Sequence, residues 1–152
     1  MNKYQSNYNN ELIGLISIIS VLKHHKEMSL GKVLLILPFF SHGNTLNLLK
    51  SKRVKIRSLE EFIVKYPSSF SSFNDRYYSL LTTSLNSIIL LKRMQLIIIT
   101  KGQVSVKEDF NFEIENKSLG KRAKEIVQAS QNLSEILMES THNLYLQLRV
   151  KI

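Results

Sequence analysis

The chain has 152 residues, of which 43% are hydrophobic and 22% charged, with two prolines, no cysteine, a formal net charge of +9 and a pI near 9.8. That length and apolar content suit one packed domain rather than a disordered chain. Without cysteine there are no disulfides, no thiolate nucleophile and no cysteine-ligated zinc or iron–sulfur site, while the positive field favours anionic partners: nucleic acid, an acidic protein face or anionic lipid.

Residues 1–8 are polar and are expected to form a flexible N-terminus, with residues 9–152 making one globular domain. An amphipathic helix is expected from about residue 9 to 26. Its Gly14, Ser17 and Ser20 fall three apart, a stripe of small residues that lets a second helix approach closely. The segment "LIGLISIISVL" resembles a signal-peptide core, but it follows an Asn-rich leader and lacks a small-x-small cleavage site. The longest apolar run, "VLLILPFF" at 33–40, is far short of the ~18–20 residues that span a bilayer. A cytoplasmic protein without membrane contact is the expectation.

Ser29 is placed to cap a helix over "LGKVLLILPFF", with Pro38 bending or ending it. "SHGN" reads as a turn and "TLNLLKSK" as one or two helical turns. In "KSKRVKIR", residues 50–57, Val54 and Ile56 alternate with Arg53, Lys55 and Arg57, which predicts a short strand with apolar side chains inward and cations outward. Ser58 and Glu61 form a capping-box pattern opening "SLEEFIVKY", and Pro67 closes that helix. A Ser- and Phe-rich loop leads to a long helix, "RYYSLLTTSLNSIILLKRM", with Leu80, Leu81, Leu85, Ile88 and Ile89 as its apolar positions. "QLIIITKGQVSVK" predicts a hairpin turning at Lys101–Gly102. "FNFEI" (110–114) adds a candidate strand. Another helix carries Leu119, Ala123, Ile126, Val127, Ser130, Leu133 and Leu137 on one face, and the alternation of "NLYLQLRVKI" predicts a final strand. The fold class expected is α+β and predominantly α-helical, with winged-helix-like helices and a β-hairpin in the C-terminal half.

Catalytic chemistry finds no footing. The Gly31–Lys32 and Gly120–Lys121 dipeptides lack the upstream glycine of a P-loop, and Val33 and Arg122 stand where Ser or Thr must hold magnesium. His24, His25, His42 and His142 show no ligand spacing, and neighbours on a helix diverge by about 100°. Glu60 and Glu61 fit a helix first turn, and no nucleophile elbow occurs. No catalytic residue, cofactor site or metal site is expected.

What remains is basic surface: Lys50, Lys52, Arg53, Lys55 and Arg57 along one stretch, and Lys101 on the hairpin turn. Alternating cations on a strand lie about 7 Å apart on one face, which suits non-specific contact with a phosphate backbone. Cations on an edge strand also block aggregation without any ligand. Lys92–Arg93 suit a helix C-terminus whatever the function, and Lys121, Arg122 and Lys124 read as a solvated helix face.

Three segments in order, "SLGKVLLILPFFSHGNT", "FNDRYYSLLTTSLNSIILLKRMQLIIITKGQV" and "LGKRAKEIVQASQNLSEILMESTHNLYLQLRVKI", resemble the middle component of prokaryotic three-component ABC-ATPase conflict systems. That group includes Lamassu-type anti-phage and anti-plasmid defence. The resemblance implies a non-catalytic bridging subunit beside a large coiled-coil ATPase of the SMC or Rad50 kind and an effector, often a nuclease. It also implies that DNA sensing by the complex controls the effector. The basic density of residues 50–57 departs from the family pattern, so a role for it is not implied by the resemblance. A free-standing winged-helix DNA-binding regulator is the alternative reading.

Overall fold

Local capping chemistry fixes most of the helix starts. The computed structural model describes residues 3–108 and 120–152. Ser29 accepts the Lys32 N–H and opens α2 (Leu30–Phe40). The imidazole of His42 opens α3 (Gly43–Lys50), Ser58 opens α4 (Leu59–Lys65), and Ser140 opens α7 (Thr141–Leu148), each accepting the N–H three residues on. The remaining helices are α1 (Lys3–Leu22), α5 (Phe73–Arg93) and α6 (Gly120–Ile136).

Three short strands complete the described chain: β1 (Met28–Ser29), β2 (Ile97–Thr100) and β3 (Gln103–Val106). β2 and β3 pair antiparallel with Ile97 opposite Val106 and Thr100 opposite Gln103. Between them Lys101 and Gly102 take φ values of 51° and 74°, the left-handed pair that a two-residue hairpin turn requires. β1 adds to the other side of β3, giving the order β1-β3-β2. The fold is thus predominantly helical α+β, as the patterning indicates.

Helix α1 is the centre. Ile16, Ile18, Ile19, Val21 and Leu22 have at most 1% of their surface exposed, because α5, α6 and α2 all pack around it. A Cβ on Gly14 would fall on Ser87 Oγ of α5, so the small residue sets how closely the two helices approach. A second focus is aromatic. Phe39, Phe62, Phe70 and Phe73 make three edge-on contacts at centroid distances of 4.9–6.1 Å and one stacked contact, Phe70 on Phe73, at 6.4 Å, and pin the Ser/Phe-rich loop, part of which is a 3₁₀ turn at Pro67–Ser69.

Two expected strands are corrected. Residues 144–152 are not a strand: Thr141–Leu148 is helical, and Leu144, Tyr145 and Leu148 face the core while Leu146 is 63% exposed. The Ser140 cap and the burial of adjacent Leu144 and Tyr145 outweigh the alternation. Arg149 then turns left-handed at φ 56° and ends the helix. Residues 53–57 belong to no strand either, as described below. "FNFEI" and Leu119 lie outside the described residues.

Candidate nucleic-acid interface

The stretch from Lys50 to Arg57 links α3 to α4 and is fixed at both ends. At its start, Asn132 Nδ2 of α6 donates to the Leu49 carbonyl at 2.7 Å, and Lys50 Nζ lies 3.3 Å from Glu125 Oε2. Ser51 Oγ accepts from the Arg53 amide at 3.2 Å. At its end, Glu61 accepts the Arg57 amide at 3.0 Å and pairs with Lys65 at 2.7 Å, while the Ser58 hydroxyl caps α4. The Glu61 carboxyl is held below its usual range, first by the Lys65 hydrogen bond and then by the Arg57 amide.

Between these anchors residues 52–57 make no backbone–backbone hydrogen bond among the described residues, so the expected strand is absent. Its side-chain alternation survives. Lys52, Arg53, Lys55 and Arg57 are exposed, whereas Val54 and Ile56 are half-buried, Ile56 against the core. An extended backbone alternates sides whether or not a neighbouring strand exists.

An open groove of about 640 Å³ runs along this segment, with Gln128, Gln131, Asn132 and Glu135 of α6 as its other wall. Those four residues follow i, i+3, i+4, i+7 spacing, which places them on one helix face. Their spacing is legible in the sequence, but nothing local says which loop they meet. Among the described residues none of Lys52, Arg53, Lys55 and Arg57 forms an ion pair; Lys50 does. Three of these cations, Lys52, Lys55 and Arg57, line one groove wall with Arg53 exposed beside it; faced by amides and one carboxylate, they can hold a polyanion by charge and hydrogen bonding. Among the described residues no aromatic ring lines the groove, so these residues offer no stacking platform for bases.

Lys101 does not join this group. It is exposed on the hairpin turn, whose Gly102 carbonyl accepts the Leu30 amide at 2.8 Å, so that turn is docked at the N-terminus of α2.

His24 and His25 are structural joints, whereas His142 is exposed. His24 Nε2 lies 3.2 Å from Ser130 Oγ, and since that hydroxyl donates to the Val127 carbonyl, the imidazole is the donor. His25 Nε2 donates to the Ser134 carbonyl at 2.8 Å. Together they pin the end of α1 to α6. Among the described residues no group of three or more His, Asp or Glu is placed to hold a metal ion, and no helix is long and apolar enough to cross a membrane.

Helix α5 carries no cation between Arg76 and Lys92. Arg76 is turned inward: Nε donates to the Pro38 carbonyl at 3.2 Å, Nη2 to the Ser69 carbonyl at 2.9 Å and Nη1 to Ser72 Oγ at 2.7 Å. Leu85 and Ile89, expected among the helix's apolar contacts, are 40% and 48% exposed, and the buried side includes Ser84 and Ser87 instead.

No curated protein and no solved structure gives a match to this chain. Residues 15–152 match the family described as ABC-three component (ABC-3C) system Middle Component 3. That match takes in the last eight residues of α1, every later helix, the sheet and the basic groove, and the chain belongs to this family of middle components, which work beside an ABC ATPase.

Proposed function

We propose that the protein is a non-catalytic bridging subunit that holds DNA non-specifically by its phosphates while bound to the ATPase of its system. The observation that carries the DNA contact is the groove along residues 52–57, lined by Lys52, Lys55 and Arg57 with Arg53 exposed beside it, all four without ion-pair partners among the described residues. Lys50, already paired with Glu125, and Lys101, on the hairpin, are secondary contacts in this reading. The ATPase is of the large coiled-coil SMC or Rad50 kind, the effector it controls is a nuclease, and the complex acts in the cytoplasm in Lamassu-type defence against phage or plasmid DNA.

The element order supports a winged-helix-like description. A helix, a short strand, further helices, a long helix and a hairpin follow one another, and β1 pairs with β3. A free-standing regulator of that kind reads bases with Arg, Lys, Asn or Gln on its long helix. On α5 the outer face offers hydroxyls and apolar groups, with Asn86 already bonded to Glu11 at 3.4 Å. Phosphate contact without base reading is the better fit.

The test is the salt dependence of duplex DNA binding. Replacing Lys52, Arg53, Lys55 and Arg57 together with Gln is expected to flatten the slope of log affinity against log salt by about 0.9 for each phosphate that the variant no longer neutralises. An unchanged slope removes the groove from the DNA-binding account.

A further inference from the structure

Helix α5 packs on α1 and α2 through Phe73, Tyr77, Ser84, Ser87, Ile88 and Leu91. Its outer side carries an apolar row as well, flanked by exposed Ser79 and Asn86. Tyr78, Leu85 and Ile89 are 47%, 40% and 48% exposed, and Thr82 lies exposed between them. Asp75 and Lys92, also exposed, continue the row at its two ends. The positions 75, 78, 82, 85, 89 and 92 step by three and four in turn. That is the heptad repeat by which one helix keeps a seam facing another. The seam is about 25 Å long at 1.5 Å per residue.

The seam is complementary to itself when reversed. About a two-fold axis midway between Asp75 and Lys92, Asp75 of one copy meets Lys92 of the second copy. Tyr78 meets Ile89, and Thr82 meets Leu85. Aligned in parallel, the same seam would set Asp75 on Asp75 and Lys92 on Lys92, two like-charge contacts. Exposed Arg93 adds to the attraction at the basic end. The Asp75 carboxylate makes no ion pair among the described residues, and Arg76 is occupied by the Pro38 and Ser69 carbonyls and Ser72. We propose that the outer face of α5 is an isologous, antiparallel contact between two copies of this chain, so that the middle component is a dimer. This inference stands apart from the DNA-binding groove, which lies elsewhere on α6 and residues 50–57.

Sedimentation velocity and light scattering of the full-length protein at micromolar concentration test it. Wild type is expected to dimerise. Leu85→Glu, which sets an unpaired carboxylate in the middle of the seam, is expected to weaken association by about a hundredfold or more while leaving the circular dichroism spectrum unchanged. Asp75→Lys and Lys92→Asp each place like charges at both ends of their own dimer and are expected to weaken it about tenfold at low salt. Mixed in equal amounts, these two variants have opposite charges at both ends and are expected to recover the wild-type affinity as a heterodimer. A monomeric wild type, a dimer indifferent to Leu85→Glu, or a mixture no tighter than its components would each overturn the proposal. A wild type that stays monomeric alone and covers α5 only when the ATPase is added would overturn it too, by assigning the seam to that partner.

Discussion

His42 caps α3 with a ring nitrogen, and that role fixes its protonation state. The Thr45 hydroxyl and amide approach Nδ1 at 2.9 and 3.4 Å, and Nδ1 can accept from the amide only while unprotonated. Burial, followed by the nearby Arg76 charge, lowers the His42 pKa below its ordinary 6.5. Burial lowers that of His24 too, with His25 and Lys23 adding to the effect and Glu135 opposing it. Groups whose folded pKa is depressed contribute stability that is full above the unfolded value and is lost as pH falls through the folded one. Folding stability is therefore expected to decline as pH drops below 6.5. In urea titrations at stepped pH, His42→Asn should keep the cap and remove part of that acid loss. An identical acid slope in the variant would contradict the capping role. The sequence makes such residues legible only when the cap is a familiar type. Ser29 and Ser58 are readable as caps from the residues that follow them. A histidine cap has no such signature, and neither do Gln95 and Arg149. Both are left-handed, at φ 61° and 56°, because the bonds that close α5 and α7 demand it and no glycine is supplied.

At the scale of elements, the α1–α5 contact leaves no room for a Cβ at Gly14. Ser87 Oγ bonds the Thr83 carbonyl at 2.8 Å and the Glu11 carbonyl at 3.3 Å beside Gly14. Gly14→Ala gains about 1 kcal/mol of helix propensity but overpacks this joint, which costs about 1–3 kcal/mol. A net loss of stability is expected in chemical denaturation, and adding Ser87→Ala, which removes the obstructing hydroxyl, should recover most of it. A Gly14→Ala protein as stable as wild type would show that the joint has slack. The small-residue stripe announces this packing, because a close approach leaves a local mark on one helix. The identity of the other helix is not legible, since Ser87 is one polar residue among many on α5. Residues 53–57 illustrate the converse. Alternation correctly sorts Val54 and Ile56 from the exposed cations but cannot tell a strand from an unpaired extended link. That depends on a neighbour supplied by distant sequence, and α6 offers side-chain amides there, not a backbone edge.

At the scale of the molecule, the C-terminal helix closes the fold on its N-terminal half. Tyr145 donates to the Gly31 carbonyl at 2.7 Å and lies 3.2 Å from the Tyr77 hydroxyl, and Ser29 and Thr141 hydroxyls meet at 2.7 Å. Burial, with the Tyr77 hydrogen bond added, pushes the Tyr145 phenol well above its ordinary range. This closure leaves the groove of residues 50–57 and the outer face of α5 open, the first cationic and the second with an apolar row of Tyr78, Leu85 and Ile89. The bridging role proposed above needs surfaces of different chemistry, and in that proposal these two serve DNA and protein separately. The decisive experiment is purification of the tagged chain co-expressed with the ABC ATPase of its system, with and without nuclease treatment of the lysate. Retention of the ATPase after digestion is the expected result and marks a direct protein contact. Recovery of nucleic acid alone, removed by digestion, would contradict the bridging role.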